Sequence, residues 1–87
     1  MDDLEIRSLI YNIMDKALVK NAQSKADIFV SLKPNLKLLT VEVYNDGWRN
    51  WKDTDYYREI RISPSSVEAR ETVINSLVDV CEAIDSI

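Results

Sequence analysis

The stretch Ala26-Asp27-Ile28-Phe29-Val30-Ser31-Leu32-Lys33-Pro34-Asn35-Leu36-Lys37-Leu38-Leu39-Thr40-Val41-Glu42-Val43-Tyr44 decides the fold. Residues 26–33 alternate with period two, so Ile28, Val30 and Leu32 share one face of a strand. Pro34-Asn35 supplies turn chemistry, because proline fixes its own φ. Residues 36–44 resume the alternation, with Leu39, Val41 and Val43 on one face. A turn centred on Pro34-Asn35 predicts Val30 opposite Leu39 and Ile28 opposite Val41. The two apolar faces then coincide, and a slip of one residue would invert them.

Tyr56–Ile62 reads as a third strand, with Ile60 and Ile62 turned to the same core. Pairing Val43 with Ile60 sets Glu42 opposite Arg61. Pairing Val41 with Ile60 sets Glu42 opposite Glu59, so cross-strand charge favours the first register by a few tenths to about 1 kcal/mol. Asp46-Gly47 offers a tight two-residue hairpin, but that would set Asn50 and Lys52 opposite core positions. The expectation is therefore a long connection, residues 45–55, and long loops in compact domains tend to be functional.

Helical patterns flank the strands. Asp2-x-x-Glu5 is a capping-box variant, and Ile6, Leu9, Ile10, Ile13 and Ala17 follow at helical spacing. Asn21-Ala-Gln-Ser24 reads as the exit, with Lys16 and Lys20 suited to the end of the helix. Pro64 and the capping box Ser65-x-x-Glu68 open a last helix. Its stripe is Val67, Ile74, Leu77, Val78, Cys81 and Ile84, widened by Val73, Val80 and Ile87. The predicted fold class is α+β: an α-β-β-β-α order, a three-stranded antiparallel meander with both helices packed on one face. Residues 1–87 are expected to form a single small α+β domain.

Composition excludes several function classes. Apolar residues are 46% and charged residues 30% of the 87, an ordinary globular mix rather than a disordered one. There is no histidine, which removes the commonest general base and the Ser-His and Cys-His nucleophile pairs. Cys81 is the only cysteine and falls on an apolar stripe, so it reads as a structural thiol in a reducing, cytoplasmic setting. No phosphate-binding loop, dinucleotide fingerprint or metal-ligand spacing is present. Asp53-Thr54-Asp55 lacks the calcium-loop pattern and reads as solvated carboxylates. Neither an enzyme nor a bound cofactor or metal is expected. No apolar run approaches a membrane span, and the acidic start lacks the order of a signal peptide.

Charge is uneven. Residues 63–87 set Arg70 alone against Glu68, Glu71, Asp79, Glu82 and Asp85, an excess equal to the whole net charge of −4. That acidity serves solubility, and the alternative is a decoy face for a basic partner.

The strongest binding candidate is Trp48-Arg49-Asn50-Trp51-Lys52. Trp, Tyr and Arg are the residues enriched at binding hot spots. Five of the seven aromatic residues lie between Tyr44 and Tyr57. The sheet face away from the helices would carry Phe29, Leu38, Tyr44 and Tyr57, too apolar for a face meant only for water, which suggests cover by the long loop or by another chain. The expectation is a protein-interaction module, binding a protein partner or forming a homodimer through this loop and face. In the competing reading one or both indoles fold back over that face to cap Phe29 and Tyr57, and the two readings coexist if one indole anchors while the other is exposed.

The α-β-β-β-α order resembles the double-stranded-RNA-binding domain in topology alone. That family has a lysine cluster at the start of its last helix, where this chain has Ser65-Ser66-Val67-Glu68-Ala69-Arg70-Glu71. Its first hairpin connection bears a histidine, absent from Lys33-Pro34-Asn35-Leu36-Lys37. The surviving nucleic-acid reading is single-stranded bases stacked on Trp48 and Trp51 beside Arg49, Lys52 and Arg58.

Overall fold

The computed structural model describes residues 3–51 and 53–87. Helix α1 is Leu4–Gln23, strands β1, β2 and β3 are Asp27–Lys33, Leu38–Tyr44 and Tyr56–Arg61, and helix α2 is Val67–Asp85. The strands form one antiparallel sheet in the order β1-β2-β3, with β2 in the centre. The α-β-β-β-α meander expected from the sequence is therefore the fold, with α1 lying against β1 and α2 against β3.

Burial of one sheet face and two helix stripes holds it together. Ile13, Leu39, Val41, Leu77, Val80 and Ile84 are sealed from water. Each such side chain contributes on the order of 1.5–3 kcal/mol relative to exposure. The α1 stripe sinks Ile6, Ile13 and Ala17. On α2 the buried positions are Val73, Leu77, Val80, Cys81 and Ile84. Val67 and Val78, assigned to that stripe from the sequence, are exposed. Val67 sits on the first turn, where the helix overhangs its support. Burial raises the Cys81 thiol pKa above its ordinary value.

Both registers differ from the sequence expectation, and both preserve the faces. Val30 pairs with Val41 and Ile28 with Val43, two residues from the predicted partners. The cause is the hairpin loop, which takes four residues, 34–37. Leu36 donates its N–H to the Lys33 carbonyl and Lys37 to that of Pro34, and Lys37 closes the loop at φ 51°.

In the second pairing Leu39 faces Ile60 and Val43 faces Tyr56, so neither weighed register forms. This slide tucks Tyr56 against the core. An aromatic ring removed from water outweighs the few tenths of a kcal/mol expected from Glu42 opposite Arg61. Glu42 meets Tyr57 instead, and Glu59 meets Thr40.

Both caps also start one residue later than read. Asp3 caps α1, its carboxylate accepting from the Ile6 N–H; Asp2 lies outside the described residues. Ser66 caps α2, accepting from the Ala69 N–H at 3.0 Å. Asp2-Asp3 and Ser65-Ser66 each offer two adjacent caps of nearly equal quality, so local sequence does not choose between them.

Candidate functional site

The connection between β2 and β3 is long, as expected, and its base is pinned. Gly47 donates its N–H to the Tyr44 carbonyl, which turns the chain at the end of β2. Gly47 has φ 93°, a conformation that strains side-chain-bearing residues, and a β-carbon there would meet the Lys25 carbonyl oxygen at 3.4 Å. The Asp27 carboxylate then accepts from the Trp48 N–H at 2.8 Å, tying the loop to the start of β1. At the other end Asp55 accepts from the Asn45 N–H at 2.7 Å and donates its own N–H to the Val43 carbonyl. Asp27 and Asp55 thus hold backbone in place. Sequence reasoning left Asp55 as a solvated loop carboxylate and assigned Asp27 no role. Asp55 was detectable as an aspartate at the end of a loop whose amides lack strand partners, whereas Asp27 belongs to β1 and meets the loop only through the fold.

The loop tip stands away from the body. Trp51 is 101% exposed and sits at φ 70°, so its indole covers none of the protein's own sheet. Trp48 is 52% exposed. Arg49 and Asn50 between them are exposed, and Lys52 lies outside the described residues. The fold-back reading of the two tryptophans therefore fails outright for Trp51.

The sheet face beneath divides the predicted aromatic residues. Tyr44 is buried, its ring meeting Phe29 edge-on at 5.8 Å between centroids. It supports the face from within rather than offering itself to a partner. Phe29 and Tyr57 are each nearly half exposed and flank Glu42 in one row across the three strands. The Tyr57 hydroxyl donates to Glu59, and the Tyr44 hydroxyl to Glu42. The Glu59 bond, then burial, pushes the Tyr57 phenol pKa above its ordinary value; burial, then Glu42, does the same for Tyr44. Arg58 lies opposite Val41, on the helix-facing side of β3, and so is on the other face from Tyr57.

The alternative acidic face is real as geometry. Glu68, Glu71, Asp79 and Glu82 are all exposed at spacings that place them along one side of α2, whereas Asp85 is engaged by Lys16 at 2.8 Å. Among the described residues no group of three His, Cys, Asp or Glu gathers as metal ligands. None of the helices is long and apolar enough to cross a membrane. No family model, curated protein or solved structure matches the chain.

Proposed function

We propose that this chain is a protein-interaction module that grips a protein partner with Trp51 and Trp48, backed by Phe29 and Tyr57 on the open sheet face. The observation that carries this reading is the wholly exposed Trp51 indole on a loop whose base is fastened at both ends. An indole left entirely in water gives the fold no burial, so its contribution belongs to an encounter with something else. A fastened loop also limits the entropy lost when that encounter orders it.

The test is a pull-down comparing wild type with the Trp48→Ala/Trp51→Ala double variant, with circular dichroism as the fold control. Partner capture is expected to be lost while the spectrum is unchanged, since a hot-spot tryptophan carries on the order of 2 kcal/mol or more. Undiminished capture by the double variant refutes the proposal. Capture lost instead on charge reversal of Glu68, Glu71, Asp79 and Glu82 transfers the contact to α2. Affinity for single-stranded oligonucleotides that falls steeply with salt transfers it to nucleic acid.

A further inference from the structure

A second apolar surface lies on the other side of the molecule and belongs to no reading above. Helix α1 leaves Leu4, Tyr11, Met14 and Leu18 exposed along one line, separate from its buried stripe. This line borders β1, and an open groove of about 1240 Å³ runs between Tyr11, Met14, Leu32 and Val67. Leu32 points to the helix side of the sheet yet is more than half exposed.

The outer edge of β1 is itself half closed. The Asn21 side chain donates to the Ile28 carbonyl at 3.1 Å and accepts from the Ile28 N–H at 2.7 Å. The backbone of Ile28 therefore faces outward, and by strand periodicity so does that of Val30 and Leu32. Those two residues present their N–H and C=O groups along an edge that carries neither proline nor charge there. Protein edges are ordinarily protected against such exposure.

We infer that β1 and α1 form a two-fold interface with a second copy of this chain, with Val30 of each copy paired antiparallel to Leu32 of the other about an axis through Ser31. This register uses both open residues. Pairing stops at Ile28, whose outward groups Asn21 already holds, and the second copy's chain leaves the edge there at Pro34, which has no N–H to leave unpaired. On the outer face Phe29 meets Lys33, and Lys33 reaches diagonally to Asp27, so antiparallel self-pairing joins opposite charges.

The helix agrees with the strand independently. Asn21 is level with Ile28, and Ser31 lies about 10 Å further along β1 at strand rise. At helix rise that distance is about seven residues back along α1, which reaches Met14. Met14 lines that groove with Leu32 and also a smaller hollow with Val30. The axis set by the strand edge thus passes the middle of the exposed line Tyr11-Met14-Leu18, which would close against its symmetry mate. A foreign strand would match the edge, but the Pro34, Lys33 and Met14 coincidences are properties of self-pairing.

The test joins sedimentation equilibrium with a cross-link. Wild type is expected to sediment as a dimer. Leu32→Pro removes an outward N–H along with a half-exposed leucine side chain and is expected to weaken association at least about 100-fold, one lost bond in each half of the symmetric pair, with an unchanged circular dichroism spectrum. Ser31→Cys is expected to form a disulfide dimer in a mild glutathione buffer. In this register its mate lies across a non-hydrogen-bonded pair, at a Cα separation of about 4.5 Å that a disulfide spans. If Leu32→Pro does not fold, Met14→Lys replaces it with the same expected dissociation. A monomer at all concentrations overturns the inference. So does a dimer that survives these substitutions, dissociates with Trp48→Ala/Trp51→Ala, or leaves Ser31→Cys uncross-linked. Because those tryptophans lie outside this surface, failure here leaves the aromatic-loop reading standing, and the reverse.

Discussion

Tyr56 and Asn21 show how single side chains settle what pattern leaves open. The Tyr56 ring packs against the core, yet its hydroxyl is buried with no hydrogen-bond partner among the described residues. A buried hydroxyl without a partner costs about 1–3 kcal/mol, whereas burying the ring is favourable. Tyr56→Phe is therefore expected to keep the fold and raise stability by about 1 kcal/mol, read as a higher midpoint in urea. A lower midpoint would mean that the hydroxyl is satisfied. The sequence pattern marks Asn21 only as part of a helix exit, whereas α1 runs on through Gln23. Its amide matches a strand backbone, donor beside acceptor, and so fastens the end of α1 to Ile28. Nothing in the spacing of the sequence announces this, because the two residues belong to different elements and the bond depends on where the helix ends. Trp51 is the opposite case. Its residue type and its place in a loop already marked it, and the structure adds that the indole is free of the sheet.

At the scale of elements, the caps test how much stability rests on a local choice. Ser66 satisfies one α2 amide, and Ser65 stands ready one residue earlier. Ser66→Ala is expected to cost about 1 kcal/mol in chemical denaturation, and Ser65→Ala close to nothing. Equal losses would place the cap at neither alone. The five elements and their order were legible because period two and period 3.6 differ sharply over runs of this length. The long aromatic loop was legible too, since a tight turn at Asp46-Gly47 would have set polar residues against Val41 and Val43. The registers were not. Shifts of two residues leave every face unchanged, so face matching cannot see them, and cross-strand charge pairs are too weak to decide. The four-residue hairpin loop and the burial of Tyr56 decided instead. The division of the aromatic face followed from those registers: Tyr44 on the central strand is buried, and Phe29 and Tyr57 on the edges are not.

Across the whole molecule, charge is arranged to hold two parallel helices together. The start of α1 meets the start of α2 through Arg70, which donates to Asp3 at 2.6 Å and lies 3.6 Å from Glu5. At the other end Lys16 binds Asp85, and Lys20 donates to the Ile87 carbonyl at 3.0 Å. Parallel helices align their dipoles unfavourably, and on α1 the acids Asp3 and Glu5 at the start and Lys20 in the last turn oppose its own dipole, while Arg70 and Asp85 tie α2 to them. These contacts are also expected to make the stability of the fold depend on pH. The hydrogen bond from Arg70 holds the Asp3 carboxyl below its ordinary value. Its contribution is therefore present above the ordinary carboxyl value and is lost as pH falls through the lower folded value. The Asp85 bond raises the Lys16 pKa and the Glu59 bond raises that of Tyr57, so their contributions are full below the ordinary values and fade in alkali. The melting temperature is expected to hold level through neutral pH and to drop below about pH 4. Asp3→Asn separates charge from capping, because asparagine caps a helix about as well as aspartate. That variant should show a shallower acid limb, and 0.5 M salt should reduce the wild-type advantage at neutral pH, since these side chains are partly open to solvent. An acid limb as steep in Asp3→Asn as in wild type would show that the Asp3–Arg70 contact does not govern it, and would move the acid sensitivity to other carboxylates of the chain.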